Sequence, residues 1–202
     1  MESFFHLRAE KQEHIINAAL TVFGRNRYKK TSVADIAAEA GIAKGMVNYY
    51  FGSKKNLYLY LAERCNQILI DEIEKGVDKN VSDFFDRIKM ATCIKIAMIK
   101  KHPAILSFLT SVYYETDRDV ADGLKRFMNK GMESREKILV EHIDVSNFKD
   151  GVNPKLLDQF FVWASEGMAN ELLINQSMDR VDSFIKEFYE LLDLMKKHFY
   201  KG

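Results

Sequence analysis

Residues 31–58 read TSVADIAAEAGIAKGMVNYYFGSKKNLY. Val33, Ile36, Ala37 and Ala40 recur at helical spacing and predict one short helix with a single buried face. Ser32 stands where an N-cap belongs. Asp35, three residues on, can reach back to the cap's own N–H and complete a capping box. Gly41 follows the last apolar residue, where a residue free to take positive φ is wanted. Val47, Tyr50 and Phe51 predict a second short helix, and Ser53 caps a third, much longer one.

Two short helices around a glycine turn form the pattern of a helix-turn-helix. With Val47, Tyr50 and Phe51 turned inward, the outer face of the second helix holds Lys44, Gly45, Met46, Asn48 and Tyr49. A solvated face normally carries Glu and Lys. This one offers a cation, an amide, a thioether, a phenol and a glycine that lets another surface approach the backbone. Such groups contact phosphates, base edges and thymine methyls in a major groove. The competing reading is a helical hairpin with an ordinary surface.

The same run resembles the DNA-binding domain of the TetR family of transcriptional regulators. The residues that carry the resemblance are Ala18-Ala19, Phe23, Tyr28, Thr31-Ser32-Val33, Ile36-Ala37, Glu39-Ala40-Gly41-Ile42, Lys44-Gly45, Tyr49-Tyr50-Phe51, Ser53-Lys54 and Leu57, across residues 12–60 without a gap. Ser32, Val33, Lys44, Gly45, Met46, Asn48, Tyr49, Tyr50 and Lys54 are the residues expected at DNA. Lys54 is included because the first turn of its helix also favours a phosphate. Three positions depart from the family pattern. Arg27 stands where the family usually has Gly, so either Asn26 or Arg27 takes the positive φ, the latter at a cost of order 1 kcal/mol. Ala43 replaces a frequent Ser cap, a loss of typically about 1 kcal/mol. Met46 stands where Thr, Ser or Ala is common. These departures bear on which sequence is read.

Composition agrees with a helical chain. The 202 residues include only 2 prolines and 10 glycines. No apolar run reaches the ~18 residues of a membrane span, and no signal-peptide core stands at the start, so a cytoplasmic protein is expected. Cys65 and Cys93 sit in helical patterns and read as reduced core residues. The net charge is only +1, but it is segregated. Residues 1–55 hold nine Lys/Arg against five Asp/Glu, and the remainder holds 21 against 24. A positive helix-turn-helix part is the electrostatic footprint that phosphates require.

The fold class expected is all-α, with a DNA-binding domain over 8–68 and a helical effector-binding and dimerisation domain over 69–202. Residues 1–6 are expected to fray, and a first helix to span 7–24. Later helices are expected over 54–74, 81–102, 103–115, 119–142, 154–175 and 181–200, broken by glycines, by Pro103 and by an Asn-Pro turn. Aromatics and methionines crowd the middle helices. As a set they suit an adaptable apolar pocket, lined by Cys93, Met98, Phe108, Tyr113, Tyr114, Phe127 and Met128; taken singly, each reads more readily as plain core. Such a pocket suits a hydrophobic or aromatic small molecule. The last two helices carry apolar faces wider than one contact needs. The resemblance implies a homodimer through these helices, with Phe160, Ala164, Gly167, Met168, Phe184, Phe188, Leu191, Leu192 and Met195 at the interface.

No enzyme is expected, and no cofactor or metal. The five histidines are scattered without metal-ligand spacing, and neither a phosphate loop nor a nucleophile elbow occurs. The reading is a sequence-specific DNA-binding regulator of a near-palindromic operator in double-stranded DNA, a repressor released by a mostly apolar ligand. Control by a protein partner and an architectural DNA binder are the alternatives.

Overall fold

The computed structural model describes residues 1–175 and 178–201. Ten α-helices follow one another there: α1 (Glu2–Phe5), α2 (Ala9–Lys30), α3 (Val33–Glu39), α4 (Lys44–Phe51), α5 (Lys54–Gly76), α6 (Phe84–Lys101), α7 (Pro103–Tyr113), α8 (Arg118–Leu139), α9 (Pro154–Ile174) and α10 (Val181–Phe199). The fold is all-α. Among the described residues the only extended pairing is an isolated bridge from Phe148 to Tyr200, and no helix is long and apolar enough to cross a membrane.

The chain forms two compact units. The first takes Met1–Ile68 and Ile99–Lys130; the second takes Leu69–Met98 and Gly131–Gly202. The first unit is therefore not one stretch of sequence, because α7 and the start of α8 join the helix-turn-helix part. Its centre is aromatic. The Phe23 ring lies 4.9 Å from Tyr58 and 6.2 Å from Phe108, and Tyr58 lies 5.3 Å from Phe108. All three are fully buried, and burying a ring of this size contributes roughly 1.5–3 kcal/mol. Pro103 opens α7 at its first position, where no backbone N–H is needed.

The second unit centres on Phe84, Phe85, Phe148, Phe161, Phe188 and Leu192. Arg87 is buried among them. Its guanidinium donates to the Val81 and Ile138 carbonyls, each at 2.6 Å, and so closes the last turn of α8. Burial lowers its pKa from the usual arginine value.

Three expectations are corrected. Residues 1–6 do not fray: α1 places Phe4 in the core at 1% exposure. The first long helix does not stop at Gly24. A Cβ added there would lie 2.9 Å from the Ser107 Cβ, so Gly24 lets α7 approach α2 rather than ending a helix. The sixth helix starts at Phe84 rather than at residue 81, where the Asp83 carboxylate accepts the Asp86 N–H at 3.0 Å.

Of the two candidates for positive φ, Arg27 takes it, at φ 58° and ψ 176°, inside α2. That region is populated almost only by glycine and costs of order 1–3 kcal/mol. Neighbouring bonds hold it. The Thr31 hydroxyl donates to the Arg27 carbonyl at 2.7 Å, and the Tyr28 N–H donates to Glu115 at 3.0 Å. Replacing Arg27 by Gly is expected to stabilise the fold by about 1 kcal/mol, once glycine's larger unfolded-state entropy is set against the relieved strain. Denaturant unfolding checks this; an unchanged or lower midpoint contradicts the strain.

Candidate nucleic-acid interface

The capping box forms as the sequence predicts. The Asp35 N–H donates to the Ser32 hydroxyl at 3.1 Å, and the Ser32 N–H donates to the Asp35 carboxylate at 2.8 Å. That backbone bond holds the Asp35 carboxyl below its usual range. The turn then uses Gly41 at φ 59°. Helix α4 begins at Ala43 with no side-chain cap, and ends on Gly52 at φ 77°, whose N–H returns to the Asn48 carbonyl at 2.7 Å.

Val47 and Phe51 are buried beneath α4. Lys44, Gly45, Asn48 and Tyr49 are exposed on its other side and Met46 is half-buried. Tyr49 is 65% exposed, a large value for a ring on a packed helix. A Cβ added at Gly45 would meet nothing within 4 Å, so the backbone there is open to approach. Ser32 is exposed and Val33 half-buried at the start of α3. The start of α3 and the outer face of α4 thus offer a hydroxyl, an ammonium, an amide and a phenol.

Two residues expected at DNA do something else. Tyr50 is 3% exposed, with its ring 5.9 Å from Phe4, and supports α4 from behind. The Lys54 ammonium donates to the carbonyls of Tyr28 and Thr31 at 2.9 and 3.0 Å and lies 4.1 Å from the Tyr28 ring centre. Its charge caps the end of α2, so its work is holding α2 to α5.

Tyr28 is the knot that sequence reasoning missed. Its hydroxyl donates to the Asp119 carboxylate, which also lies 3.4 Å from the Lys55 ammonium. Glu115, which accepts the Tyr28 N–H, also accepts the N–H groups of Thr116 and Asp117 at 2.9 Å. The Tyr28 hydroxyl, then Lys55, hold the Asp119 carboxyl below its usual range. Burial first, then Asp119, push the Tyr28 phenol up. The α7–α8 turn is thereby tied to the junction of α2 and α3. No local pattern signals this, because its partners are some ninety residues apart.

The residues expected to line a pocket are divided. Cys93 and Met98 belong to the second unit, and Phe108, Tyr113, Tyr114, Phe127 and Met128 to the first. Phe108 is core, between Phe23 and Tyr58. Tyr113 and Tyr114 are half-buried with rings 5.1 Å apart, and Phe127 and Met128 are half-buried on α8. Met98 is buried. Cys65 is a buried thiol pushed up to about 12 by desolvation. Cys93, expected in the core, is exposed, with its sulfur 2.7 Å from the Tyr189 hydroxyl.

The residues expected at a dimer interface separate by face. Phe184, Phe188 and Leu192 are buried within their own chain. Phe160 and Gly167 are exposed, and Ala164, Met168, Leu191 and Met195 half-buried. Leu156 is exposed too, as are Trp163 and Ile174, which the sequence reading did not place there, Trp163 at 53%. With Phe160 and Gly167 they fall at steps of three, four and seven, one apolar stripe along α9. That periodicity was the available signal.

The α3–turn–α4 geometry and the face it presents define a helix-turn-helix DNA-binding protein. Residues 15–61 match the family model described as bacterial regulatory proteins, tetR family, so this stretch is a TetR-type helix-turn-helix of a transcriptional regulator. The fatty acid metabolism regulator protein of Bacillus subtilis (strain 168) is 25% identical over 184 residues, covering 85% of this chain and 88% of that protein. The uncharacterized HTH-type transcriptional regulator YuxN of the same strain is 46% identical over 50 residues, 25% of this chain and 17% of that one. The crystal structure of the transcriptional regulator FadR from Bacillus subtilis in complex with stearoyl-CoA shares the fold, with a TM-score of 0.74 at 18% identity over 89% of this chain and 96% of that chain.

Lysines 44 and 54 should separate cleanly. Lys44→Ala is expected to weaken specific DNA binding by about 1–3 kcal/mol with the unfolding midpoint unchanged. Lys54→Met is expected to lower stability by about 1–3 kcal/mol, since two carbonyls lose a charged donor. Fluorescence-anisotropy titration and thermal unfolding of both variants check this; loss of DNA binding at full stability in Lys54→Met would return that lysine to the DNA face.

Proposed function

We propose that this regulator is a homodimeric repressor that leaves its operator when a small, mostly apolar effector binds. The observation that carries the DNA half is the outer face of α4: Lys44, Gly45, Asn48 and Tyr49 stand open while Val47, Tyr50 and Phe51 anchor the helix. Lys44 meets a phosphate or a guanine edge, the Asn48 amide suits adenine N6 and N7, and Met46 and Tyr49 add apolar contact. Two copies of α4, one per protomer, enter successive major grooves about 34–36 Å apart on a near-palindromic site. The exposed stripe of Leu156, Phe160, Trp163, Gly167 and Ile174 supports the dimer, because a stripe of large apolar groups left in water marks a partner surface.

The division of labour proposed is DNA reading by residues 8–68, and effector binding and dimerisation by 69–202. A similar protein, FadR of Bacillus subtilis, was crystallised with stearoyl-CoA, and a long acyl chain suits the half-buried Met and aromatic side chains of α7 and α8. An acyl thioester is therefore the first effector to test. The Tyr28 knot supports a relay, since it fastens the α7–α8 turn to the element that leads into α3. Release requires the effector to bind the DNA-free conformation more tightly; regulators commonly achieve about 1–3 kcal/mol of such coupling, or 5–150-fold.

Calorimetric titration with stearoyl-CoA, stearate and free CoA, in parallel with DNA retention, tests this reading. The expected result is binding of the acyl-bearing ligands alone and a 5–150-fold loss of DNA affinity. No binding by any of the three, with DNA affinity unmoved, contradicts an acyl effector and favours control by a protein partner.

A further inference from the structure

Helix α4 has eight residues and no side-chain cap at its start. A helix this short does not persist by its own hydrogen bonds, so its shape and aim come from what packs on it. Val47 and Phe51 anchor one side. On another side stands a group from α1. The Phe4 ring lies 4.8 Å from Phe51, 5.9 Å from Tyr50 and 6.4 Å from Tyr60 on α5. Phe51 in turn lies 5.9 Å from Tyr60. Phe4 therefore fills a gap bounded by the second half of α4 and one face of α5, and it is 1% exposed there. Phe5 backs it, 5.5 Å from Phe4 and 6.2 Å from Tyr60.

The segment is tied in place at its far end. The Gln12 side-chain amide on α2 donates to the Phe5 and Leu7 carbonyls at 3.2 and 2.8 Å, and the Leu7 N–H donates to the Phe4 carbonyl at 3.1 Å. A frayed terminus would leave these carbonyls in water and the ring pocket empty. The aromatic contacts also lead outward. Tyr50, which receives Phe4, is 5.5 Å from the ring of Tyr49, the one exposed large hydrophobic side chain on α4.

We propose that Phe4 is a positioning residue for DNA recognition: it plugs the back of α4 through Tyr50 and Phe51, and so sets the angle at which Lys44, Asn48 and Tyr49 meet the bases. Phe4 itself touches no DNA. Its effect falls on specificity, because base-edge hydrogen bonds need tight placement whereas phosphate contacts tolerate a shifted helix. The inference rests on the reading that α4 is the recognition helix.

The test uses the full chain with Phe4→Ala and Phe4→Leu. Affinity is measured for a selected operator duplex and for an unrelated duplex of the same length, at several salt concentrations. Hydrogen exchange is followed at the amides of α4 and α3 without DNA. For Phe4→Ala the expected result is a fall of about tenfold or more in operator affinity, comparable to one mismatched base pair. Affinity for the unrelated duplex and its salt slope should stay within about twofold, while exchange speeds up in α4 and not in α3. Phe4→Leu, which refills most of the volume, should recover most of the operator affinity. Equal losses on both duplexes, or faster exchange across the whole unit, would make Phe4 an ordinary stability residue and overturn the proposal. So would unchanged operator affinity in Phe4→Ala while Lys44→Ala and Tyr49→Ala lose theirs. If those two variants also bind normally, it is the assignment of α4 that fails; altered α4 exchange alone would then still show the plug.

Discussion

The first unit depends on packing against a helix too short to stand alone. The eight residues of α4 gain no side-chain cap, and their start on Ala43 forgoes a typical ~1 kcal/mol. What holds them is apolar contact: Val47 and Phe51 below, Tyr50 against Phe4 behind, and a glycine that turns the chain straight into α5. The same dependence explains the face that remains. Residues that anchor α4 are buried and closed to DNA, and those proposed to read it stand open. The helix divides its side chains accordingly, with Tyr50 and Tyr49 adjacent in sequence and opposite in exposure.

A second constraint sits at the entry to α3. Arg27 holds a backbone conformation suited to glycine, and the residues after it are fastened from several directions: Glu115 on the Tyr28 N–H, Asp119 on its hydroxyl, and Lys54 on the carbonyls of Tyr28 and Thr31. Strain of this kind survives only where the surroundings over-determine it. Here the surroundings include α5 and the α7–α8 turn. The element that leads into the DNA-reading helices is thus mechanically joined to helices remote in sequence. The proposed effector-released regulator needs such a join, since binding at one place must alter the geometry at another.

Local patterns made much of this legible. The capping box, the Gly41 turn, the inward set of α4 and the Pro103 start of α7 are all short-range features, and each forms as the spacing predicts. What escaped was long-range. Gly24 reads as a helix stop in a window of neighbours, yet it serves the approach of α7, more than eighty residues on. Lys54 reads as a phosphate contact at a helix start, yet it caps the end of α2. Phe108 reads as a pocket residue by type, yet Phe23 and Tyr58 enclose it. Phe4 lies before any periodic pattern, so nothing near it in sequence shows a partner. The stripe on α9 was periodic and readable. Choosing the larger set of apolar residues, instead of the subset left over once the chain's own core is filled, obscured it.

The charge arithmetic fits the same division. A positive first quarter and a slightly negative remainder put the phosphate-attracting part where the helix-turn-helix lies. A balance of +4 is modest, and the proposed pairing of two copies would double it.

The most direct test of sequence-specific reading by a paired α4 is selection of bound duplexes from a random pool at ~150 mM salt, where non-specific phosphate binding is suppressed. A two-fold symmetric consensus, with half-sites about one helical turn or a multiple of it apart, is the result expected of two α4 helices in successive major grooves. Retention without any consensus, fading steadily as salt rises, would contradict it and leave a protein that binds the DNA backbone alone.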